Sequence, residues 1–171
     1  MLHQNKPPEL NLKSLKQLIL AYRDRDRAAL EWKSRGGKVA GLLGSDVPEE
    51  LLIAAGYLPV RICGDPHAED EHIADRYIER AFDPLLRSQF RRIVDGTYSY
   101  LDRLIITSSS DALVRIFYYL RELRRVEAEL PIPELYFFDL LHTRYRTSAL
   151  YNRQRLIELK KAVEQWRGRP L

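Results

Sequence analysis

The sequence has only one cysteine, Cys63, among its 171 residues, and it contains no long apolar run. One thiol excludes an internal disulfide and every metal or redox motif that needs two cysteines close together. A membrane-spanning helix needs roughly 18 or more consecutive apolar residues, so the sequence predicts no transmembrane segment. Residues 1–10 lack the apolar centre of a secretory signal. We therefore expect a cytoplasmic protein that does not bind a membrane.

The net charge of +4 is spread unevenly along the chain. Residues 1–36 carry eight basic and four acidic residues, whereas residues 37–80 carry four basic and nine acidic ones. Nucleic-acid binding needs a concentrated basic face with aromatic side chains beside it. The arginines of this chain are instead interleaved with acids along predicted helices, where they suit solvated helix faces. The charge pattern therefore argues against nucleic acid as a partner.

Four short apolar segments alternate with amphipathic helical patterns. The apolar segments cover residues 39–43, 58–63, 104–107 and 135–139. Such an alternation is typical of a parallel sheet that helices cover on both faces. It predicts an α/β fold: a Rossmann-like three-layer domain with a short parallel sheet of about four strands and helices on both faces. We assign this α/β domain to residues 38–171 and an N-terminal helical arm to residues 1–37.

The helix ends are predicted from glycine, proline and capping residues. Apolar residues at helical spacing indicate one amphipathic helix from Asn11 to about Arg35. Asp46 and Glu49 have the spacing of a capping box, and Asp111 is expected to cap a further helix. The helices predicted after the first one span residues 46–55, 69–80, 84–94, 111–129 and 148–166.

Polar residues follow each of the four predicted strands. In open parallel sheets, ligands bind outside the carboxyl ends of the strands, and helix N-termini at that edge favour anions. Two interpretations remain open: these residues act only as helix caps, or they cap helices and also line a ligand crevice. The segments concerned are Gly44–Asp46, Gly64–Asp65, Ser108–Asp111 and Asp139–His142.

Three other kinds of site are weaker interpretations. Gly41–Ser45 follows a strand but lacks the glycine pattern of a nucleotide-binding loop. His67–His72 combines histidines with acids, but it suits a solvated helix start, and no HExxH or CxxC motif accompanies it. A nucleophile triad of Ser110, Asp139 and His142 would define a small hydrolase, but no GxSxG motif surrounds the serine.

Four segments have the residue types of one enzyme family, in the same order. Residues 48–61 contain Pro-Glu-Glu-Leu, Ala-Ala-Gly and Pro-Val-Arg at the spacing of the family's opening motif. Phe82–Ser88 resembles a segment with Cys-Pro followed by Arg-Ser, and Ser109–Asp111 resembles a Cys-Asp step after a strand. Phe138–His142 resembles an Asp-Leu-Pro-His motif in which leucine replaces proline. Residues 38–170 thus resemble the N-terminal half of the 2-hydroxyacyl-CoA dehydratase and benzoyl-CoA reductase family.

The resemblance implies a chemistry based on an iron–sulfur cluster. In the family, two related subunits each hold a cluster on cysteine thiolates, and an ATP-driven activator supplies one electron. The cluster binds an acyl-CoA thioester, and the electron permits a β-elimination or ring reduction. Two of the family's cysteines correspond to Asp83 and Ser110, and a third falls in the family's second half. Carboxylate and hydroxyl oxygens are poor ligands for soft iron–sulfur chemistry, so we expect no cluster and no metal in this chain.

The function implied by the resemblance is that of a degenerate, cluster-less subunit that supports an acyl-CoA dehydratase or reductase complex. Any catalysis would be that of a lyase that needs a partner, either a homologous subunit or a missing C-terminal half, with an acyl-CoA as candidate ligand. Ser45 and Glu50 are the candidate catalytic residues, although both also suit a first helical turn. Ser110, Asp111 and His142 are the candidate substrate-binding residues. The alternative is a non-catalytic interaction or scaffold domain that keeps only the fold.

Overall fold

A computed structural model describes residues 12–65, 67 and 72–171. In this part of the chain, seven α-helices and four β-strands follow one another. The helices are Leu12–Arg23 (α1), Arg27–Ser34 (α2), Glu49–Ala54 (α3), His72–Tyr77 (α4), Pro84–Val94 (α5), Asp111–Val126 (α6) and Arg146–Arg167 (α7). The strands are Lys38–Leu43 (β1), Tyr57–Arg61 (β2), Arg103–Thr107 (β3) and Leu135–Phe138 (β4).

The four strands form one parallel sheet in the order β2-β1-β3-β4. β1 pairs with β2 on one side and with β3 on the other, and β3 pairs with β4. Five of the six residues of β1 and four of the five residues of β3 are buried. The buried residues of these inner strands are apolar except Thr107, as expected for strands that are covered on both faces. The predicted short parallel sheet of four strands is confirmed.

Two separate cores lie on the two faces of the sheet. Successive side chains of a strand point to opposite faces, and accordingly Val39 and Leu43 belong to one core while Ala40 and Leu42 belong to the other. The first core receives side chains from α2, α4, α5 and α6, and the second from α3 and α7. The predicted three-layer α/β architecture is therefore confirmed. None of the described helices is long and apolar enough to cross a lipid bilayer.

The N-terminal helical region is divided into two helices. The sequence pattern predicts one helix over residues 11–35, but α1 and α2 are separated at Asp24–Asp26. The Asp26 carboxylate accepts a hydrogen bond from the Tyr100 hydroxyl at 2.8 Å and another from Arg92 at 3.4 Å. These bonds tie the turn to the body of the domain, and aspartate is a weak helix former. The predicted single helix is wrong for this reason.

The two N-terminal helices differ in how they pack. Ala29 of α2 is buried in a sheet core, and Trp32 Nε1 donates a hydrogen bond to the Lys38 carbonyl oxygen at 3.1 Å. Lys33 forms an ion pair with Asp102 at 2.6 Å, and the Asp102 carboxylate also accepts the N–H of the second residue of β1. In the described helix α1, by contrast, no side chain is buried. The division into an arm over residues 1–37 and a separate domain stays a prediction.

The starts of α6 and α4 differ from the sequence-based prediction. Ser110, rather than the predicted Asp111, is the N-cap of α6, because the serine hydroxyl accepts the Leu113 N–H at 3.3 Å. Asp111 is instead the first residue of the helix. The helix predicted over residues 69–80 is shorter in the structure, where α4 covers His72–Tyr77, and its predicted beginning lies outside the described residues.

Candidate functional site

The carboxyl ends of the four strands lie along one edge of the sheet because all the strands are parallel. The predicted site residues Ser45, Ser110 and His142 lie in segments that directly follow strands, and Asp111 begins α6. We term this edge the carboxyl edge. It is formed by Gly44–Asp46 after β1, Ile62–Asp65 after β2, Ser108–Ser110 after β3 and Asp139–His142 after β4.

Asp46 is the centre of a polar cluster at the end of β1. The sequence predicts it as a helix cap, but α3 begins at Glu49, and Asp46 has a left-handed backbone with a φ of 74°. Its Oδ2 atom accepts a hydrogen bond from the Ser45 hydroxyl at 3.1 Å and lies 3.5 Å from His142 Nε2. The predicted cap is wrong, because Pro48 is the N-cap of α3 and no side chain caps this helix. The Asp46 carboxylate instead contacts two of the predicted site residues. Left-handed backbone at a non-glycine residue is uncommon and occurs preferentially at functional sites.

Hydroxyl groups join the loops that follow β1, β3 and β4. The Ser109 hydroxyl accepts the N–H of Ser45 at 3.4 Å and lies 2.9 Å from the Thr107 hydroxyl. The Ser108 hydroxyl accepts the N–H of Leu140 at 3.1 Å. These bonds link three of the four segments of the carboxyl edge and fix their relative positions.

Side chains cap the N-termini of α5 and α6. The Asp83 Oδ1 atom accepts the backbone N–H groups of Leu85 at 2.9 Å and Leu86 at 3.3 Å. The Ser110 hydroxyl does the same for Leu113 in α6. Aspartate and serine are preferred N-cap residues, and the loss of such a cap destabilises a protein by about 1 kcal/mol. Both side chains therefore have a structural role.

A cavity of about 370 Å³ lies beside these two capped helix ends. Asp83 contributes to its wall from the start of α5, and Asp111 and Arg115 contribute from α6. The other lining residues are Glu79, Ala81, Phe82 and Ala112. The cavity therefore combines an apolar wall with carboxylates and one guanidinium group. It brings the Asp83 position together with the residue that follows Ser110.

Glu50 lies in the first turn of α3, and its side chain is exposed. The preceding residue, Glu49, forms an ion pair with Arg61 at 2.7 Å. Arg61 also donates a hydrogen bond to the carbonyl oxygen of Gly44 at 3.1 Å, which anchors the loop after β1. The catalytic assignment of Ser45 and Glu50 stays a prediction.

The members of the alternative nucleophile triad have other partners in the structure. Ser110 caps α6, Asp139 accepts a hydrogen bond from the Tyr151 hydroxyl at 2.5 Å, and His142 lies against Asp46. These contacts do not support a hydrolase mechanism. Substrate binding by Ser110, Asp111 and His142 stays a prediction.

The structure does not support a metal site among the described residues. Within that part of the chain, no group of three or more His, Cys, Asp or Glu side chains could hold a metal ion. The segment His67–His72 lies largely outside it, since residues 68–71 are not described.

Sequence reasoning did not single out the contact of Ser109 with the loop after β1 or the contribution of Arg115 to the cavity. Three serines follow β3, and nothing in their order shows which hydroxyl caps the helix and which contacts the neighbouring loop. Arg115 could have been found, because it lies four residues after Asp111 and this spacing places both on one side of a helix. The left-handed backbone of Asp46 leaves no signal in the residue types around it.

Asp139 is a perturbed carboxyl group at the end of β4. Burial raises its pKa, but hydrogen bonds from Ser108 and Tyr151, together with the positive charge of Arg155, outweigh burial and hold the pKa below the ordinary aspartate value. The hydrogen bond to Asp139 in turn raises the pKa of the Tyr151 hydroxyl. The ionised carboxylate is thus favoured in the folded protein.

The substitution Tyr151→Phe is expected to lower the free energy of unfolding at pH 7 by about 1 kcal/mol, with allowance for solvent screening. Because the folded pKa of Asp139 is depressed, its stabilising effect is present above the unfolded pKa of about 3.9 and is lost as the pH falls through the folded value. Urea unfolding of both proteins between pH 7 and pH 2.5 should show the difference shrinking below about pH 4. A difference that stays constant over this range would contradict the assignment.

The sheet order and the carboxyl edge define a class: α/β proteins with one open parallel sheet and a candidate site at the carboxyl ends of its strands. A family model described as 2-hydroxyglutaryl-CoA dehydratase, D-component, matches residues 45–171. The chain belongs to this family. The match confirms the resemblance of the sequence motifs, although it begins seven residues later than the resemblance over residues 38–170. No curated protein matches the chain.

Proposed function

We propose that this chain is a cluster-less dehydratase-like subunit that supports an acyl-CoA dehydratase or reductase complex together with a partner subunit. Membership in a family described as the D-component of a dehydratase supports a subunit of this type. A component implies other components, which supports a homologous subunit as the partner. Any catalysis in such a complex would be that of a lyase.

One observation carries the proposal: the two positions that correspond to family cysteines hold helix-capping side chains. Asp83 accepts two backbone N–H groups of α5, and Ser110 accepts one of α6. These oxygen atoms satisfy donors that every helix leaves unpaired at its N-terminus. Both side chains therefore stabilise the fold without any bound iron.

The donor set does not fit an iron–sulfur cluster. Such clusters are held by thiolates, whereas Asp83 and Ser110 offer oxygen atoms that suit hard cations. The single thiol, Cys63, follows β2, and its Sγ atom accepts a hydrogen bond from Arg25 at 2.9 Å. Cys63 is not among the described residues that line the cavity at α5 and α6. The proposal therefore assigns no cluster chemistry to this chain.

The carboxyl edge offers groups that could contact a thioester presented by a partner. The Ser45 hydroxyl and the His142 ring can donate hydrogen bonds to a carbonyl oxygen, and the His142 side chain is 60% exposed. Glu50 offers an exposed carboxylate that can accept a proton. In the proposal, Ser45 and Glu50 are the catalytic candidates, whereas Ser110, Asp111 and His142 contact the acyl-CoA.

Anaerobic reconstitution with iron and sulfide is expected to leave the protein colourless and without stoichiometric iron. The reason is that a cluster needs several thiolates in one place, and the chain has one thiol. The measurements are the visible spectrum in the thiolate-to-iron charge-transfer region and an iron assay. Stoichiometric iron that disappears in Cys63→Ala would show that a cluster is anchored on this chain and would overturn the proposal.

A double variant tests whether the two positions correspond to the family's cysteines. Asp83→Cys with Ser110→Cys is expected to bind more iron than the native chain, because it places thiols at two helix N-termini that favour thiolates. The matched control is Ser34→Cys with Thr147→Cys, which adds two thiols to helices on opposite faces of the sheet. Equal iron in the two double variants would refute the correspondence.

The second candidate function, a non-catalytic interaction domain, is favoured by a different observation. Helix α1 exposes large apolar side chains and buries none of its described residues, Leu12–Arg23. The two functions differ at the carboxyl edge, because only the first needs acyl-CoA contact there. Calorimetry with acetyl-CoA in the presence of the partner subunit distinguishes the two functions. Binding that depends on this chain favours the dehydratase-like subunit, and its absence favours the interaction domain.

A further inference from the structure

Helix α1 presents large apolar side chains to solvent. Their exposed fractions are 65% for Leu12, 42% for Leu15, 68% for Leu18, 41% for Ile19 and 72% for Tyr22. Isolated exposed apolar residues are normal on protein surfaces, but a contiguous group marks an interaction site. We term these five residues the α1 stripe.

The stripe lies on one side of α1 because of its spacing. At about 100° per residue, its five positions fall within an arc of about 120°. Leu12, Leu15, Ile19 and Tyr22 are separated by three, four and three residues. This is the spacing of the a and d positions that form the seam of a coiled coil. The stripe therefore has the pattern of a surface that packs against another helix.

That other helix is not α2. A groove between α1 and α2 is lined by Gln17, Leu20 and Ala21 from α1 and by Arg27 and Ala28 from α2, among others. None of the five stripe residues is among these lining residues. The side of α1 that faces α2 is thus distinct from the stripe. The Arg25 guanidinium lies 4.9 Å from the centroid of the Tyr22 ring, but in the described part of the chain all five stripe side chains stay at least 41% exposed.

The charges that border the stripe specify the chemistry of its partner. Lys16 and Arg23 occupy the positions next to the seam that set partner choice in coiled coils. The sequence of α1 contains no acidic residue. Pairing α1 with the same helix of a second copy, in either direction, would therefore give neither cation a carboxylate. Charge complementarity calls for acidic residues on a different helix.

A lipid surface fits the stripe less well than a helix does. Anionic membranes are recognised by clusters of roughly four to eight basic residues. Helix α1 has three basic residues, Lys13, Lys16 and Arg23. A seam of alternating three- and four-residue spacing is also the narrow stripe that helix pairing requires.

We propose that the α1 stripe is a docking surface for an amphipathic helix of another protein, with an apolar seam bordered by carboxylates. The apolar side chains supply affinity by leaving water, and Lys16 and Arg23 select partners by charge. The docking does not depend on acyl-CoA or iron chemistry. If the docking proposal failed, the expected result of the iron reconstitution experiment would therefore stay the same.

Two designed peptides of about three heptads test the proposal with the full chain. Both have leucine at a and d; one has glutamate and the other lysine at e and g. Fluorescence anisotropy of the labelled peptides should show the glutamate peptide binding at least tenfold more tightly. The charge reversal Lys16→Glu with Arg23→Glu should invert this preference. Leu15→Asp should abolish binding, whereas Leu150→Asp, at an exposed position of α7, should leave it unchanged.

Three outcomes would overturn the proposal. The first is equal binding of both peptides, or binding of neither. The second is a dimer of the native chain in sedimentation that Leu15→Asp dissociates, because the stripe would then be covered by a second copy. The third is cosedimentation with phosphatidylserine vesicles that Leu15→Asp abolishes, which would assign the stripe to a membrane. Far-UV circular dichroism of each variant verifies that the fold is retained.

Discussion

Gly44→Ala is expected to lower the free energy of unfolding by about 3 kcal/mol. Gly44 has a φ of 104°, which side-chain-bearing residues rarely adopt. A Cβ atom at this position would lie 2.2 Å from Thr107 Oγ1 and 2.9 Å from Leu113 Cδ1. Alanine would therefore strain the backbone and also force β3 and α6 away from the loop after β1. Urea unfolding of the variant and the native chain measures the loss.

Gly56→Ala is the matched control for this prediction. Gly56 also has a positive φ, 86°, but a Cβ atom there would have no neighbour within 4 Å. Its substitution should therefore cost only the backbone strain, about 1 kcal/mol. The difference between the two variants isolates the close approach of the loop to Thr107. Equal losses in both variants would show that this close packing at the carboxyl edge contributes nothing.

Phe138→Ala is expected to lower the free energy of unfolding by about 4 kcal/mol, a large part of the total stability of a small domain. Phe138 is fully buried at the end of β4, in the core that also contains Ile105, Leu159 and Val163. Removing the ring would leave a cavity between the sheet and α7. The measurement is again the shift of the urea unfolding transition.

The control for Phe138→Ala is Tyr145→Ala, which removes an aromatic ring that is 71% exposed. Tyr145 is the N-cap of α7 but makes no capping hydrogen bond with its side chain. This variant should stay within about 0.5 kcal/mol of the native stability. A loss of the same size in both variants would contradict the assignment of Phe138 to the core.

The strands could be predicted because a strand that is buried on both faces consists mainly of consecutive apolar residues. Segments such as 104–106 are apolar without interruption, and amphipathic helices with a different sequence period separate them. The break between α1 and α2 could not be predicted. The charged residues 23–27 at the break suit an exposed helical turn as well as a loop. The contacts that fix the turn at Asp26 come from Tyr100 and Arg92, which are far away in sequence.

The carboxyl edge could be predicted in part. Parallel strands bring their carboxyl ends together whatever the details of the loops, so the placement of Ser45 and His142 after β1 and β4 follows from the topology. The contact of both residues with Asp46 does not, because it depends on a left-handed backbone conformation. Capping residues are also ambiguous by one position, as Ser110 and Asp111 show.

The position of β1 determines how the chain can be divided. The family match begins at residue 45, after the last residue of β1. Yet β1 is the strand to which both β2 and β3 are hydrogen-bonded, and it contributes Val39, Ala40, Leu42 and Leu43 to the two cores. A fragment cut at the family boundary would lose the only sheet neighbour of β2 in the described chain. The cooperative folding unit is therefore larger than the segment that sequence similarity delimits.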